Sequence, residues 1–180
     1  SGLSEARQNQ IIAEAKFFRA EAYFYLYRMY NNIYVTTEST TVDNAFDVID
    51  AKSTDEEVFA LLNSDLSFAI DNLDWTDTFG RVTKGTAKHV KAKVAMWQGD
   101  WTEAKNQAVS LIEEGPHSLV GSTAEVFAGD RNHSESLFVV QSQDDVLGGG
   151  DNTMINANFV TQYFQIPGIE ANVEQGGRGF

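Results

Sequence analysis

Three histidines, His89, His117 and His133, are the side chains best suited to acid–base or metal chemistry near neutral pH. Their spacing matches no metal-ligand pattern, and His89 stands among Lys88, Lys91 and Lys93, which would repel a cation. Cysteine is absent, so disulfides, thiolate ligands and a cysteine nucleophile are excluded. There is no His-Glu-x-x-His, no Gly-x-Ser-x-Gly, no phosphate loop and no dinucleotide fingerprint. With 26 Asp and Glu, some carboxylates will approach one another by chance, so their number alone argues for no hydrolytic pair. The expectation is a chain that is not an enzyme and needs no metal or cofactor.

Binding chemistry is better represented. Trp75 and Phe79 flank Asp77 in a short polar loop, which sets two flat apolar faces beside a carboxylate acceptor. Trp75 also reads as a packing residue that covers the end of the helix before it. Asp144, Asp145, Asp151, Asn152 and Asn156 surround the glycines at 148–150 and offer oxygens to a hard cation or to hydroxyls. Their spacing is not that of an EF-hand, so a solvated loop is the expectation there. Lys84, Lys88, Lys91 and Lys93 form a basic patch. It either balances neighbouring acidic helices or meets a partner.

Composition narrows the classes further. Lys and Arg number 13 against 26 Asp and Glu, a formal charge of −13, which repels phosphate backbones and anionic lipid. Nucleic acid is therefore not an expected partner. The 42% hydrophobic and 12% aromatic content excludes disorder. No apolar run reaches 18 residues and no signal peptide is visible. The chain lacks an initiating Met, opens Ser1-Gly2 and stops at Gly179-Phe180, which reads as a piece of a longer protein.

The elements that must hold these residues are helical over the first two thirds. Residues 11–30 carry Ile11, Ala15, Phe18, Ala22, Leu26 and Met29 on one face, with Phe17, Ala20, Phe24 and Tyr27 opposite. Two apolar rows predict a helix buried on two sides, as in a layered array. A long extended connection is expected over 33–50. Ser53-Thr54-Asp55-Glu56 resembles a capping box with Glu56 reaching back, ahead of Val58, Leu62, Leu66, Ala69 and Leu73 at helical spacing. A third helix is expected over 83–98, with Ala87, Val90, Val94 and Trp97 inward and Gly99 as its stop. Asp100 and Glu103 open a fourth, with Ala104, Ala108, Leu111 and Ile112 inward and Gly115-Pro116 at its end. Trp97 and Trp101 flank the Gly99-Asp100 turn and are expected in the core of a tetratricopeptide-like hairpin. Residues 116–180 predict a loop-rich segment with a short strand or extended stretch at 137–141 and one helix near 152–163.

Several stretches resemble the SusD-like (RagB/SusD) family. The first is Ala13-Glu14-Ala15-Lys16-Phe17-Phe18-Arg19-Ala20-Glu21-Ala22-Tyr23-Phe24 with Tyr27-Arg28-Met29-Tyr30. The second is Gly80-Arg81-Val82-Thr83-Lys84-Gly85-Thr86-Ala87, and the third is Gly99-Asp100-Trp101-Thr102-Glu103-Ala104. Ser118-Leu119, Phe127 and Glu135-Ser136-Leu137-Phe138-Val139-Val140-Gln141 follow in the family's order, and Gly176-Gly177-Arg178-Gly179-Phe180 closes the series. The resemblance implies a mainly α fold of tetratricopeptide-like hairpins with an irregular C-terminal third, as one SusD-like domain fragment. It implies non-catalytic capture of an oligosaccharide or related nutrient on the outer face of a Bacteroidetes outer membrane. It also implies an upstream lipid anchor and handover to a SusC-type TonB-dependent transporter. Under it, Trp75, Phe79 and Asp77 become candidate sugar contacts. The rival is a tetratricopeptide adaptor that grips a peptide, but the connection at 33–50 and the non-helical last third break the 34-residue period such an adaptor would keep.

Overall fold

The computed structural model describes residues 2–30, 33–47, 52–126 and 133–139, all in the first of two units, Ser1–Val139. The expected helix near 152–163 and the carboxylate and amide cluster at 144–156 lie outside the described residues. Helix α1 spans Glu5–Met29 and starts where the Ser4 hydroxyl accepts the Arg7 amide. Glu5 in its first turn and Arg28 in its last complement the helix dipole. Helix α2, Asp55–Asn72, opens on a capping box one residue later than the sequence suggests. Thr54 Oγ1 accepts from the Glu57 amide at 3.2 Å, and Glu57 returns a carboxylate to the Thr54 amide at 2.8 Å. Thr54 in place of Ser53 as cap leaves Ser53 Oγ free to accept from Val35, which ties down the connection between α1 and α2.

Helix α3, Lys84–Gln98, and helix α4, Trp101–Glu114, form the hairpin expected from their turn. Gly99 adopts φ +76°, and the amides of Gly99 and Asp100 bond to Met96 and Ala95. That is a Schellman closure, which a left-handed glycine makes without steric penalty. Asp100 then caps α4 by accepting from Glu103 at 2.9 Å. A single short turn, α5, follows at Thr123–Val126. Among the described residues there is no strand. Leu137, Phe138 and Val139 run irregularly, with the Leu137 carbonyl taking the Thr86 hydroxyl at 2.8 Å.

The helices pack in chain order, α1 on α2, α2 on α3 and α3 on α4. The core runs through Phe17, Ala20 and Phe24 of α1, Val58, Leu62, Leu66 and Ala69 of α2, and Ala87, Val90 and Val94 of α3. Tyr27 meets Phe59 edge-on with ring centroids 4.9 Å apart. Each buried Leu or Phe contributes about 1.5–3 kcal/mol relative to an exposed one.

Three expectations about facing are corrected. Of the two apolar rows on α1, only Phe17, Ala20 and Phe24, with Ala13, enter the core; Ile11, Phe18, Leu26 and Met29 are exposed. Phe18 keeps two edge-on ring contacts, with Phe17 at 5.4 Å and with Phe138 at 6.2 Å. Among the described helices only α2 lies against α1 in strength, so one row has a helix packed on it and the other does not. Second, Trp97 and Trp101 are surface residues, 57% and 66% exposed. Trp97 meets Phe24 and Tyr27 only edge-on, with ring centroids 6.2 and 6.5 Å apart, which leaves most of its ring uncovered. Third, α4 buries Ala104 and half-buries Leu111, whereas Ala108 and Ile112 face out, Ile112 at 75% exposure. No described helix lies beyond α4 to cover them. Among the described residues no helix is long and apolar enough to cross a membrane.

Candidate functional site

The loop between α2 and α3 is folded by its own chemistry. Gly80 takes φ +91°, which lets the Arg81 amide reach the Thr78 carbonyl at 3.0 Å. The Lys84 amide bonds the Asp74 carbonyl at 2.8 Å and closes the base of the loop. Arg81 then fixes the loop to α1. One of its Nη atoms reaches both oxygens of Glu14 at 2.5 Å. The Glu14 carboxylate holds the guanidinium even more firmly protonated than usual, with Asp77 adding to the effect at 3.6 Å.

Trp75, Asp77 and Phe79 line one cleft of about 140 Å³, with His117, Leu137 and Phe138 across from them. The structure thus brings the three sequence candidates together, but it gives them different duties. Asp77 is committed within the fold: Oδ2 accepts from Gln10 at 3.0 Å and faces Arg81, and Oδ1 accepts from the Thr78 amide at 2.6 Å. Trp75 is half-buried, and a Cβ on Gly115 would come within 3.1 Å of its ring. The Lys88 ammonium lies 5.9 Å from the same ring centroid. Trp75 therefore packs against the ends of α3 and α4 and still shows part of its face to the cleft. Phe79 is the more open ring, 38% exposed. The arrangement offers an aromatic wall and peptide groups on a loop that is braced on all sides. Such a surface can hold a flat, hydroxyl-bearing ligand by stacking and a few directed hydrogen bonds.

Sequence reasoning missed Gln10, Glu14 and Arg81, which position the loop, and His117, which walls it. Arg81 directly after a turn glycine was the available signal; its partner 67 positions away carried none. His117 reaches the cleft because Gly85 makes room for it: a Cβ there would lie 3.0 Å from Nε2. Its Nδ1 lies 3.3 Å from the Ser134 carbonyl. Among the described residues no group of three His, Cys, Asp or Glu could hold a metal ion. Burial, then the Lys93 charge, pushes the His89 imidazole below its ordinary pKa. The lysine patch divides: Lys91 bonds Ser67 at 2.7 Å and Glu103 at 3.3 Å, and Lys88 approaches Gln107 at 3.5 Å, so both serve inter-helix packing.

No family model matches the chain. It is similar to a SusD-like protein of Formosa agariphila, 28% identical over 150 residues, which is 81% of this chain and 28% of that protein. A SusD-like protein of Bacteroides ovatus is 30% identical over 152 residues, 77% of this chain and 27% of that protein. The chain thus spans less than a third of the length of the curated relatives it matches. Among solved structures, one determined with xylogluco-oligosaccharide superposes with a TM-score of 0.73 at 27% identity, covering 89% of this chain and 35% of that one.

Proposed function

We propose that this chain, which is SusD-like in sequence and in helical fold, serves to hold a glycan at the cell surface without turning it over. The observation that carries the reading is the superposition on a structure solved with xylogluco-oligosaccharide, at an identity that extends over nearly all of the chain. The helices α1–α4 act as a rigid frame, and the loop at 75–81 presents Phe79 and part of Trp75 as a stacking surface for the sugar's C–H face. Asp77 shapes that loop and contributes little to the ligand, since both of its oxygens are engaged. In this reading the protein is lipid-anchored on the outer membrane and passes its ligand to a TonB-dependent transporter of the SusC type. Modest affinity suits such handover, because a ligand held too tightly would not move on.

The test uses the full-length protein. Electrophoresis through gels cast with individual polysaccharides should retard it with at least one of them, and incubation with that glycan should release no new reducing ends. Retention by no glycan, or hydrolysis of one, would overturn the reading. Co-purification with an outer-membrane transporter from mildly solubilised membranes tests the handover separately.

A further inference from the structure

Lys16 and Arg19 sit three apart on α1, and both reach into the α1–α2 seam for one residue, Asp65. Arg19 donates Nε–H to Oδ2 at 2.7 Å and Nη2–H to Oδ1 at 2.8 Å; Lys16 donates to Oδ1 at 2.8 Å. Asp65 is fully buried, while the two cations keep 27% and 29% of their side chains exposed. One cation would neutralise one carboxylate. Two leave a surplus positive charge at this point of a chain whose net charge is −13. A guanidinium has five N–H donors, and Asp65 takes those of one edge only.

The same two side chains line an open hollow of about 580 Å³ together with Ile12, Ala15 and Thr37. That volume lies within the roughly 300–1,000 Å³ of small-ligand sites. Among these lining residues there is no carboxylate. The hollow combines a cationic floor, a small aliphatic wall and one hydroxyl, and it is lined by different residues from the cleft at 75–81. Its floor is stiff, since Asp65 holds Arg19 by two bonds and Lys16 lies 5.2 Å from the Phe68 ring centroid.

We infer that this hollow is a second glycan contact, selective for a sugar that carries a carboxylate. The carboxylate meets Arg19 and Lys16, the C–H face lies on Ile12 and Ala15, and Thr37 bonds a ring hydroxyl. The inference rests on the glycan reading above and gives it a substrate class, the acidic oligosaccharides. An acidic peptide supplies the same anion but no flat C–H face for the aliphatic wall.

Calorimetry of the full-length protein with digalacturonate, its methyl ester and a diglutamate peptide tests this. The acid form should bind about tenfold or more tighter than the neutral ester, as charge-assisted hydrogen bonds imply, and tighter than the peptide. The gap should narrow in high salt. Thr37→Glu, on an exposed position away from the Asp65 bonds, should remove most of it while leaving thermal stability unchanged. Equal affinity for acid and ester, equal affinity for sugar and peptide, or indifference to Thr37→Glu would overturn the hollow. A protein that retains a neutral glycan yet shows any of these results keeps the function proposed above. One that binds no sugar of either kind loses both.

Discussion

The α1–α2 seam and the α3–α4 hairpin hold the same kind of helix pair by different means. The seam is long-range and charged: a buried carboxylate, two cations and facing aromatic rings set how α1 lies on α2. The hairpin is local and small: a left-handed glycine, an Asp cap and the buried Ala87 and Ala104 bring its helices together. The first resists the loss of a partner, because removing a cation would leave the Asp65 charge buried and under-compensated. The second is rigid because its turn admits one geometry. A charged seam is sensitive to pH and to partner loss, and a glycine turn is sensitive to a single methyl group.

Breaking the seam should have the largest effect. Arg19→Ala leaves Asp65 paired with Lys16 alone and should destabilise the chain by about 3 kcal/mol, the upper range for lost hydrogen bonds to a charged group. Urea denaturation against the parent measures it. Acid reaches the same contact less completely. Burial pushes the Asp65 carboxyl up, but the bonds from Arg19 and Lys16 outweigh this and hold its pKa below the usual carboxylate range. A depressed folded-state pKa means stability that is present above the unfolded value, near 4, and is lost as pH falls through the folded one. Thermal melts should therefore fall steeply below about pH 4, and Asp65→Asn should flatten that slope.

The hairpin should respond less. Gly99→Ala forces a Cβ into the left-handed region and should cost about 1–2 kcal/mol, with space to spare, since no atom lies within 4 Å of the new methyl. A loss far above that range would mean the turn is strained elsewhere. Smallest of all is Ile112→Ser on the outer face of α4, expected within about 0.5 kcal/mol because the side chain is already in water. A larger change in the full-length protein would show that this face is covered there.

The hairpin was legible in the sequence and the seam was not, for a physical reason. A turn glycine, an adjacent cap and a small-residue pair are local features, and the chain states them within a few positions. Facing is decided by neighbours. On α1 the row of Phe18 is the longer, with six apolar residues against four in the row of Phe17, and nothing local says that only the shorter row will meet α2. Asp65 stands beside Leu66 inside an apolar row, and its partners lie 46 and 49 positions away. The same holds at the cleft. The composition of the loop marks Trp75, Asp77 and Phe79, but the duty of Asp77 as a brace depends on Gln10 and Arg81. Helical register puts Trp97 and Trp101 on an inward face, but register fixes a face and not whether anything lies against it.

The cleft at 75–81 as a sugar-holding surface on an inert frame is tested most directly by one titration. Calorimetry of the full-length protein with the glycan that retards it, run beside Phe79→Ala at a temperature where both proteins are folded, should show an affinity drop of about tenfold or more, the loss typical of an anchoring aromatic. Equal affinities for the two proteins would contradict it.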